Sequence, residues 1–410
     1  MSHDRVVQQG PGGGEQGLSG RFCRGLRGGQ TGGMAEESLV PQPSSSPRPE
    51  QSLSVLRWSE PPDGPVVVLL DQRRLPEEEA ELVCTDAPAL VEAIRTLAVR
   101  GAPLLGIAGA YGVALAAARG FDVDEAADAL ASARPTAVNL ERGARRAQRA
   151  FRAAQEAGGD RDAAAAAALA EARALQAEDA AASAAMAAHG TRLLDGLLPG
   201  GGHRLLTHCN TGALVSGGEG TAFAVALAAH RAGRLRRLWV DETRPLWQGA
   251  RLTAWEAARR RMAYTLLADN AAGSLFAAGD VDAVLIGADR IAADGAVANK
   301  VGSYPLAVLA HHHRVPFIVV APLSTVDLAT ESGAAIEVEQ RAGHEVTEVR
   351  GRGGVAVPLA PLGTRAYNPA FDVTPPELIS AIVTEAGVVT PVTAERLAAL
   401  CASSRQATMS

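Results

Sequence analysis

The sequence predicts an α/β protein: a small, mainly helical N-terminal domain with a short antiparallel sheet, followed by a Rossmann-like domain built on a parallel sheet. Two stretches carry this reading. After residue 203, apolar runs of strand length alternate with helical segments, the pattern of a parallel sheet covered on both faces. Before it, Leu140 to Leu198 is almost wholly Ala, Leu, Arg, Glu and Asp, which gives two long helices by propensity, interrupted at Gly158 and Gly159. The breaker-rich run LLPGGGH, residues 197 to 203, lies between them and marks the domain boundary. A chain of 410 residues is long enough for two such cores.

In chain order, residues 1–51 are rich in Gly, Ser, Pro, Gln and Arg and show neither period, so a disordered tail is expected there. The N-terminal domain is expected over 52–198, with folded chain from Leu56. Val66 to Leu70 follows the turn residues Pro62, Asp63 and Gly64 and reads as part of an antiparallel hairpin. Asp86 caps a helix with Pro88 in its first turn; Leu90, Ile94, Leu97 and Ala98 share one face, and Val99-Arg100-Gly101 ends it. The uncharged run Gly101 to Ala118 approaches the length of a membrane span. Its Gly and Ala residues around Pro103 would partition weakly into lipid, so it is expected to be a buried helix in which Gly106, Gly109 and Gly112 admit neighbouring backbone.

Arg100, just before that helix N-terminus, is a candidate anion ligand, with a surface Arg before a packed helix as the plain alternative. Ser132 to Asn139 breaks the helical pattern and exposes Arg134, a second candidate. In the Rossmann-like domain, 199–395, strands are expected at Arg204 to Thr207, Leu238 to Val240, Tyr264 to Leu267, Ala283 to Ile286 and Pro316 to Val320. Residues 396–410 are expected to be a flexible tail. Ligands of open α/β sheets bind beyond the carboxyl ends of the strands, where Cys209, Asp241, Asp289 and Ala321 fall.

Cys209 reads either as a small buried hydrophobe or as a reactive thiol, since its neighbours His208, Asn210 and Thr211 are polar and the following helix would lower a thiol pKa. Asp289 directly follows an apolar strand; desolvation there raises a carboxyl pKa toward that of a general acid, the alternatives being an N-cap or an ion pair with Arg290. Gln248, Asn299 and Lys300 are placed to grip phosphate or hydroxyls, though each alone is more often a solvated polar residue. The run Ser216 to Gly220 fails to match the dinucleotide fingerprint G-x-G-x-x-G and reads better as backbone for a phosphate or a sugar oxygen. His311 to His313 reads as a helix C-terminus rather than a metal site. A thiol and a carboxyl at two strand ends suggest acid/base chemistry on a phosphorylated small molecule.

Bulk properties exclude other classes. A formal charge of −6 leaves no basic field for nucleic acid or an anionic membrane. Cys23, Cys84, Cys209 and Cys401 are scattered without CxxC spacing, so neither a zinc site nor a disulfide framework is expected, and a reducing cytoplasm fits best. The start of the chain lacks the order of a secretory signal.

The segments VRGAPLLGIAGAYG, THCNTGAL, DETRPLWQGARLTAWE, GADRIAADGAVANKVGSYPLA, PFIVVAP and YNPAFDVTPPELI, in this order, closely resemble the methylthioribose-1-phosphate isomerase family over roughly Leu56 to Val389. That family is related to ribose-1,5-bisphosphate isomerases and to regulatory subunits of initiation factor two B. The resemblance implies a homodimer that converts 5-methylthioribose 1-phosphate to 5-methylthioribulose 1-phosphate in methionine salvage, using neither metal nor organic cofactor. It implies Cys209 and Asp289 as the catalytic pair, and Arg100, Gly101, Ala102, Arg134, Gln248, Asn299 and Lys300 as substrate-binding positions. Trp247 stands where the pattern carries a leucine, which leaves isomerases of 5-deoxyribose 1-phosphate or ribose 1,5-bisphosphate as alternatives. A non-catalytic regulatory subunit is the alternative of a different class.

Overall fold

The computed structural model describes residues 54–134, 137–351 and 355–409; the expected tail over 1–51 lies outside the described residues. Strands β1 (Leu56–Ser59), β2 (Val66–Leu70) and β3 (Glu81–Cys84) form an antiparallel sheet in that order. The third strand extends the expected hairpin. Helix α1 (Ala87–Arg95) is capped as expected, the Asp86 carboxylate accepting the Ala89 N–H at 2.8 Å. It stops sooner than the apolar pattern suggests. Leu97 takes a left-handed φ of 63° and the Ala98 N–H returns to the Ala93 carbonyl at 2.8 Å, a helix-ending turn that needs no glycine. Leu97 and Ala98 are therefore outside the helix.

Helix α2 (Ala102–Ala118) buries every residue from Leu104 to Ala117 and has no polar face. Around it pack α3 (Val123–Ala131), α4 (Val138–Glu156) and α5 (Arg161–Leu197), the last two separated where Gly158 and Gly159 were expected to interrupt them. The α2–α4 crossing is a backbone contact, since a Cβ on Gly143 would lie 1.9 Å from the Gly106 carbonyl oxygen. Among the described residues, no helix is long and apolar enough to cross a membrane.

The chain then enters β4 (His203–Thr207), α6 (Ala222–Arg231), β5 (Leu235–Asp241), α7 (Ala254–Arg259), β6 (Tyr264–Leu267), α8 (Ala272–Ala278) and β7 (Ala283–Ile286). Next come β8 (Arg290–Ala292), β9 (Val297–Lys300), α9 (Ser303–His313) and β10 (Phe317–Val320). A less regular stretch holds β11 (Val326–Asp327), the single turn α10 (His344–Thr347), β12 (Glu348–Arg350) and β13 (Ala356–Pro358). The chain closes with β14 (Phe371–Thr374), β15 (Ala381–Thr384), β16 (Gly387–Val389) and α11 (Ala394–Met409).

The main sheet has seven strands in the order β16-β15-β10-β7-β4-β5-β6. All pairs are parallel except β15–β16, so the expected parallel sheet carries one antiparallel edge strand. From β4 the chain moves outward to β5 and β6, then returns to β7 on β4's other side and moves outward again. The loops after β4 and β7 thus leave in opposite directions and open a crevice, the topological switch point at which such sheets bind ligands.

Two parts differ from expectation. A second sheet, β11-β8-β9-β14, stands beside the crevice and contributes Lys300 and Phe371 to it. Of the stretch 396–410, expected to be a flexible tail, residues 396–409 belong to α11, with Leu397 and Cys401 buried, because these apolar residues four apart lie on one helix face.

Candidate active site

The polypeptide leaves β4 through a strained residue. Cys209 sits at φ 66°, a left-handed conformation that is unusual for a side chain other than Asn, Asp or Gly. Its surroundings fix it on both sides. Its N–H donates to Thr243 Oγ1 at 2.8 Å, and Thr253 Oγ1 donates to its carbonyl at 2.6 Å. Thr243 is itself left-handed at φ 63°, and the Asp269 carboxylate accepts the N–H groups of Thr243 and Arg244, each at 2.7 Å. Strain held by this many bonds concentrates at functional sites.

The cleft at the switch point spans about 440 Å³ of empty space, part of it open to solvent. Cys209, Asp289, Arg100, Gly101, Arg134, Gln248 and Lys300, all singled out in the sequence, line it together. Leu97, Leu246, Arg341, Ala370 and Phe371 complete the wall. Two of the expected substrate-binding positions stand elsewhere. Ala102 is the first residue of α2, and the Asn299 amide donates to Ser303 Oγ at 2.8 Å, while that hydroxyl donates to the Lys300 carbonyl at 2.8 Å. Asn299 braces the strand end that carries Lys300.

Asp289 is exposed to solvent at the cleft, with protein packed densely around it on its other sides. Burial pushes its pKa above the usual carboxylate value, while the charges of Lys300, Arg134 and Arg100 pull the other way. Arg290, the ion-pair partner in one of the alternative readings of Asp289, lies 3.7 Å from Asp327. Lys300 is buried, donates from Nζ to the Ala370 carbonyl at 2.7 Å, and sits over the Phe371 ring. Burial lowers its pKa against the opposing pull of Cys209 and Asp289.

Arg100 extends Nη2 to within 3.6 Å of Cys209 Sγ and donates from Nη1 to Asn210 Oδ1 at 3.1 Å. Arg134 and Arg341 share one carboxylate: Glu339 lies 3.3 Å from the former and 2.9 Å from the latter. Arg341 escaped sequence reasoning, because its stretch carries no helix or strand period and no motif. Gln248 precedes a π turn, Gly249–Thr253, of the kind that recurs at functional sites, and its buried Oε1 accepts no hydrogen bond. Trp247 turns away to stack under the Arg244 guanidinium, 4.7 Å from its ring centre, and Leu246 and Gln248 meet the cleft instead.

One expectation is corrected here. The Gly-rich run Ser216 to Gly220 is occupied by helix α5: Asp179 accepts both Ser216 Oγ and the Gly217 N–H at 2.6 Å, and Ser183 Oγ accepts the Glu219 N–H at 3.0 Å. These donors are taken, so this stretch is a packing device and not an anion cradle. His208, beside the thiol, is wholly buried, with Nδ1 3.1 Å from Asp241 Oδ2 and Nε2 2.9 Å from the Val301 carbonyl. Burial would lower its pKa, but the bond and charge of Asp241 outweigh burial and raise it. His208, Asp241 and Asp269 are the one group among the described residues spaced to hold a metal. Both ring nitrogens are engaged within the protein and both Asp269 oxygens accept backbone N–H groups, while Asp241 Oδ1 is buried without a hydrogen-bond partner.

Known proteins share this sequence and fold. The pattern of the initiation factor 2 subunit family matches residues 98–391. A methylthioribose-1-phosphate isomerase of Klebsiella pneumoniae subsp. pneumoniae is 50% identical over 326 residues, 79% of this chain and 91% of its own. The crystal structure of 5-methylthioribose 1-phosphate isomerase from Pyrococcus horikoshii OT3 superposes with a TM-score of 0.74 at 37% identity, covering 84% of this chain and 95% of that one. The translation initiation factor eIF-2B, subunit delta, from A. fulgidus superposes at 0.71 with 40% identity over 84% and 99%.

Proposed function

This chain belongs to the initiation factor 2 subunit family and groups with its methylthioribose-1-phosphate isomerases, and from that premise we propose how its cleft turns 5-methylthioribose 1-phosphate into 5-methylthioribulose 1-phosphate. The chain is an isomerase of methionine salvage. One observation carries the assignment of roles: Cys209 and Asp289 follow the adjacent strands β4 and β7 and line one cleft with Arg100, Arg134 and Lys300.

The chemistry calls for such a pair. With phosphate on C1, the sugar cannot open spontaneously to an aldehyde, so the bond from C1 to the ring oxygen must break with protonation of that oxygen. Asp289, whose pKa burial raises, donates this proton. A hydrogen then passes from C2 to C1, and the C2 hydroxyl gives up its proton as the ketone forms. Cys209 assists at C1 and C2. The proton lost from C2–OH replaces the one spent on the ring oxygen, so atoms and electrons balance within one sugar and no external oxidant is required.

Arg100, beside the backbone of Gly101 at the N-terminus of α2, takes the phosphate together with Lys300, as a helix N-terminus and two cations suit a dianion. Arg134 adds charge on the same wall, and the unpartnered oxygen of Gln248 accepts a sugar hydroxyl. A purely partner-binding subunit has no use for a desolvated carboxyl and a strained thiol in one cleft. We further place the protein in the cytoplasm, where the free thiols of Cys84 and Cys209 persist, and as a homodimer, for which the exposed side chains of Val355, Val357, Leu359, Leu362 and Tyr367 offer apolar surface to bury.

The test is turnover of pentose 1-phosphates that differ at C5, run in heavy water. Preference for the 5-methylthio sugar supports the reading, and deuterium at C1 of the product separates proton exchange from direct hydride transfer. Ketose formation from ribose 1,5-bisphosphate alone would overturn the substrate assignment.

A further inference from the structure

Behind the cleft lies a carboxylate that the chemistry above does not use. Glu256, on α7, is 4% exposed and meets only donors from the turn that carries Cys209. Its Oε1 accepts Asn210 Nδ2 at 2.7 Å, its Oε2 accepts the Ala213 N–H at 2.7 Å, and the Leu214 N–H also donates to it. Gly212 is shaped around it: a Cβ there would lie 2.4 Å from both carboxylate oxygens.

An ionised carboxylate only accepts hydrogen bonds, whereas a side-chain amide has one donating end and one accepting end. Glu256 therefore fixes which way Asn210 faces, at 2.7 Å, together with Thr253 Oγ1, which accepts the same Nδ2 at 3.3 Å. With Nδ2 turned to Glu256, Oδ1 must face the other way, and there it accepts Arg100 Nη1 at 3.1 Å. The other arm of the same guanidinium, Nη2, reaches Cys209 Sγ at 3.6 Å. A reversed amide would set acceptor against acceptor at Glu256 and donor against donor at Arg100.

We propose that Glu256 is a positioning residue for the isomerisation: by orienting the Asn210 amide it holds the Arg100 guanidinium against the Cys209 thiol and in line with the incoming phosphate. The inference rests on the reading that Arg100 and Cys209 serve the reaction. Burial pushes the Glu256 carboxyl up to about 7, against the pull of its three donors and of the Arg260 charge. Retaining a carboxylate in so unfavourable a place fits a role that only a double acceptor can fill, since glutamine, of nearly the same shape, would set its amide nitrogen against a donor, either Asn210 Nδ2 or the Ala213 N–H.

The test is steady-state kinetics of the full-length protein with 5-methylthioribose 1-phosphate, comparing Glu256→Gln, Asn210→Ala, Arg100→Lys and the two double variants that contain Arg100→Lys. Glu256→Gln is expected to lower kcat/KM by about tenfold or more, the size of a lost hydrogen bond to a charged group, with melting still cooperative. In the Arg100→Lys background the same change is expected to lower it less than about twofold, because the group it acts through is gone. A merely structural role would lose the same factor in both backgrounds, and that result would overturn the proposal. Should Glu256→Gln fail to fold, Asn210→Ala carries the test, since it cuts the relay while leaving Glu256 bonded to Ala213 and Leu214. Wild-type kinetics in Glu256→Gln with a damaged Arg100→Lys enzyme would refute the positioning role and leave the site reading standing. Wild-type kinetics in Arg100→Lys would remove the site reading of Arg100 and the proposal with it.

Discussion

Replacing Glu256 by Gln should change how stability depends on pH, and the size follows from the carboxyl's surroundings. Burial moves its pKa from 4.5 to about 7 in the folded chain. The folded state therefore binds more protons than the unfolded state across that window. The contribution of the group is fully present below its unfolded pKa and is lost as pH rises through its folded one. At 1.36 kcal/mol per pH unit, the loss comes to about 3 kcal/mol. Glutamine does not titrate, so the pH-dependent part of the difference between the two proteins is this component. Urea unfolding of both proteins between about pH 4 and about pH 8.5 measures it. The wild-type stability minus that of the variant should fall by about 3 kcal/mol on going from acid to neutral pH, then level off. A difference that stays flat, or that rises with pH as it does for a carboxylate stabilised in its ionised form, would refute the burial argument. The ionised form needed to orient Asn210 is thus the form that weakens the fold, a trade common around active sites.

Three further substitutions probe the architecture. Gly101→Ala places a Cβ 2.2 Å from Val215 Cβ at a residue whose φ is 95°; thermal unfolding should show a loss of roughly 2 to 4 kcal/mol, and an unshifted melt would contradict the packing. Gly143→Ala puts a Cβ 1.9 Å from the Gly106 carbonyl and should force α2 and α4 apart, destabilising the chain by roughly 1 to 3 kcal/mol in urea while changing KM little. Arg341→Ala removes a cation from the cleft wall and should raise KM by about tenfold or more with a smaller change in kcat; an unchanged KM would take Arg341 out of substrate binding.

The strand ends that deliver Cys209 and Asp289 were legible because buried parallel strands read as unbroken apolar runs, and the β7 run AVLI is wholly buried. The switch-point rule then brought two residues eighty positions apart into one crevice. Other parts left weaker traces. Strand β3 spans four residues, ELVC, too few to show a period. The early end of α1 was hidden because Leu97 adopts the left-handed turn in a place where glycine is the usual signal. Arg341 reaches the cleft, bonded to Glu339, from a stretch with little regular structure, so tertiary contacts alone place it. Glu256 left no local signal, since nothing in its spacing shows that Gly212 leaves room for it. The glycines of Ser216 to Gly220 misled for a related reason: a tight approach to α5 and a tight approach to a phosphate select the same residue type.

Ketose formation by the purified chain, followed by phosphorus NMR on 5-methylthioribose 1-phosphate, tests the central claim most directly when run beside Asp289→Asn and Cys209→Ser. Removing a general acid should lower kcat by at least about a hundredfold in Asp289→Asn, and Cys209→Ser should fall as far, while both variants melt like the wild type. Conversion at the wild-type rate by either variant would contradict the assignment of that residue, and no conversion by the wild type would contradict the whole account.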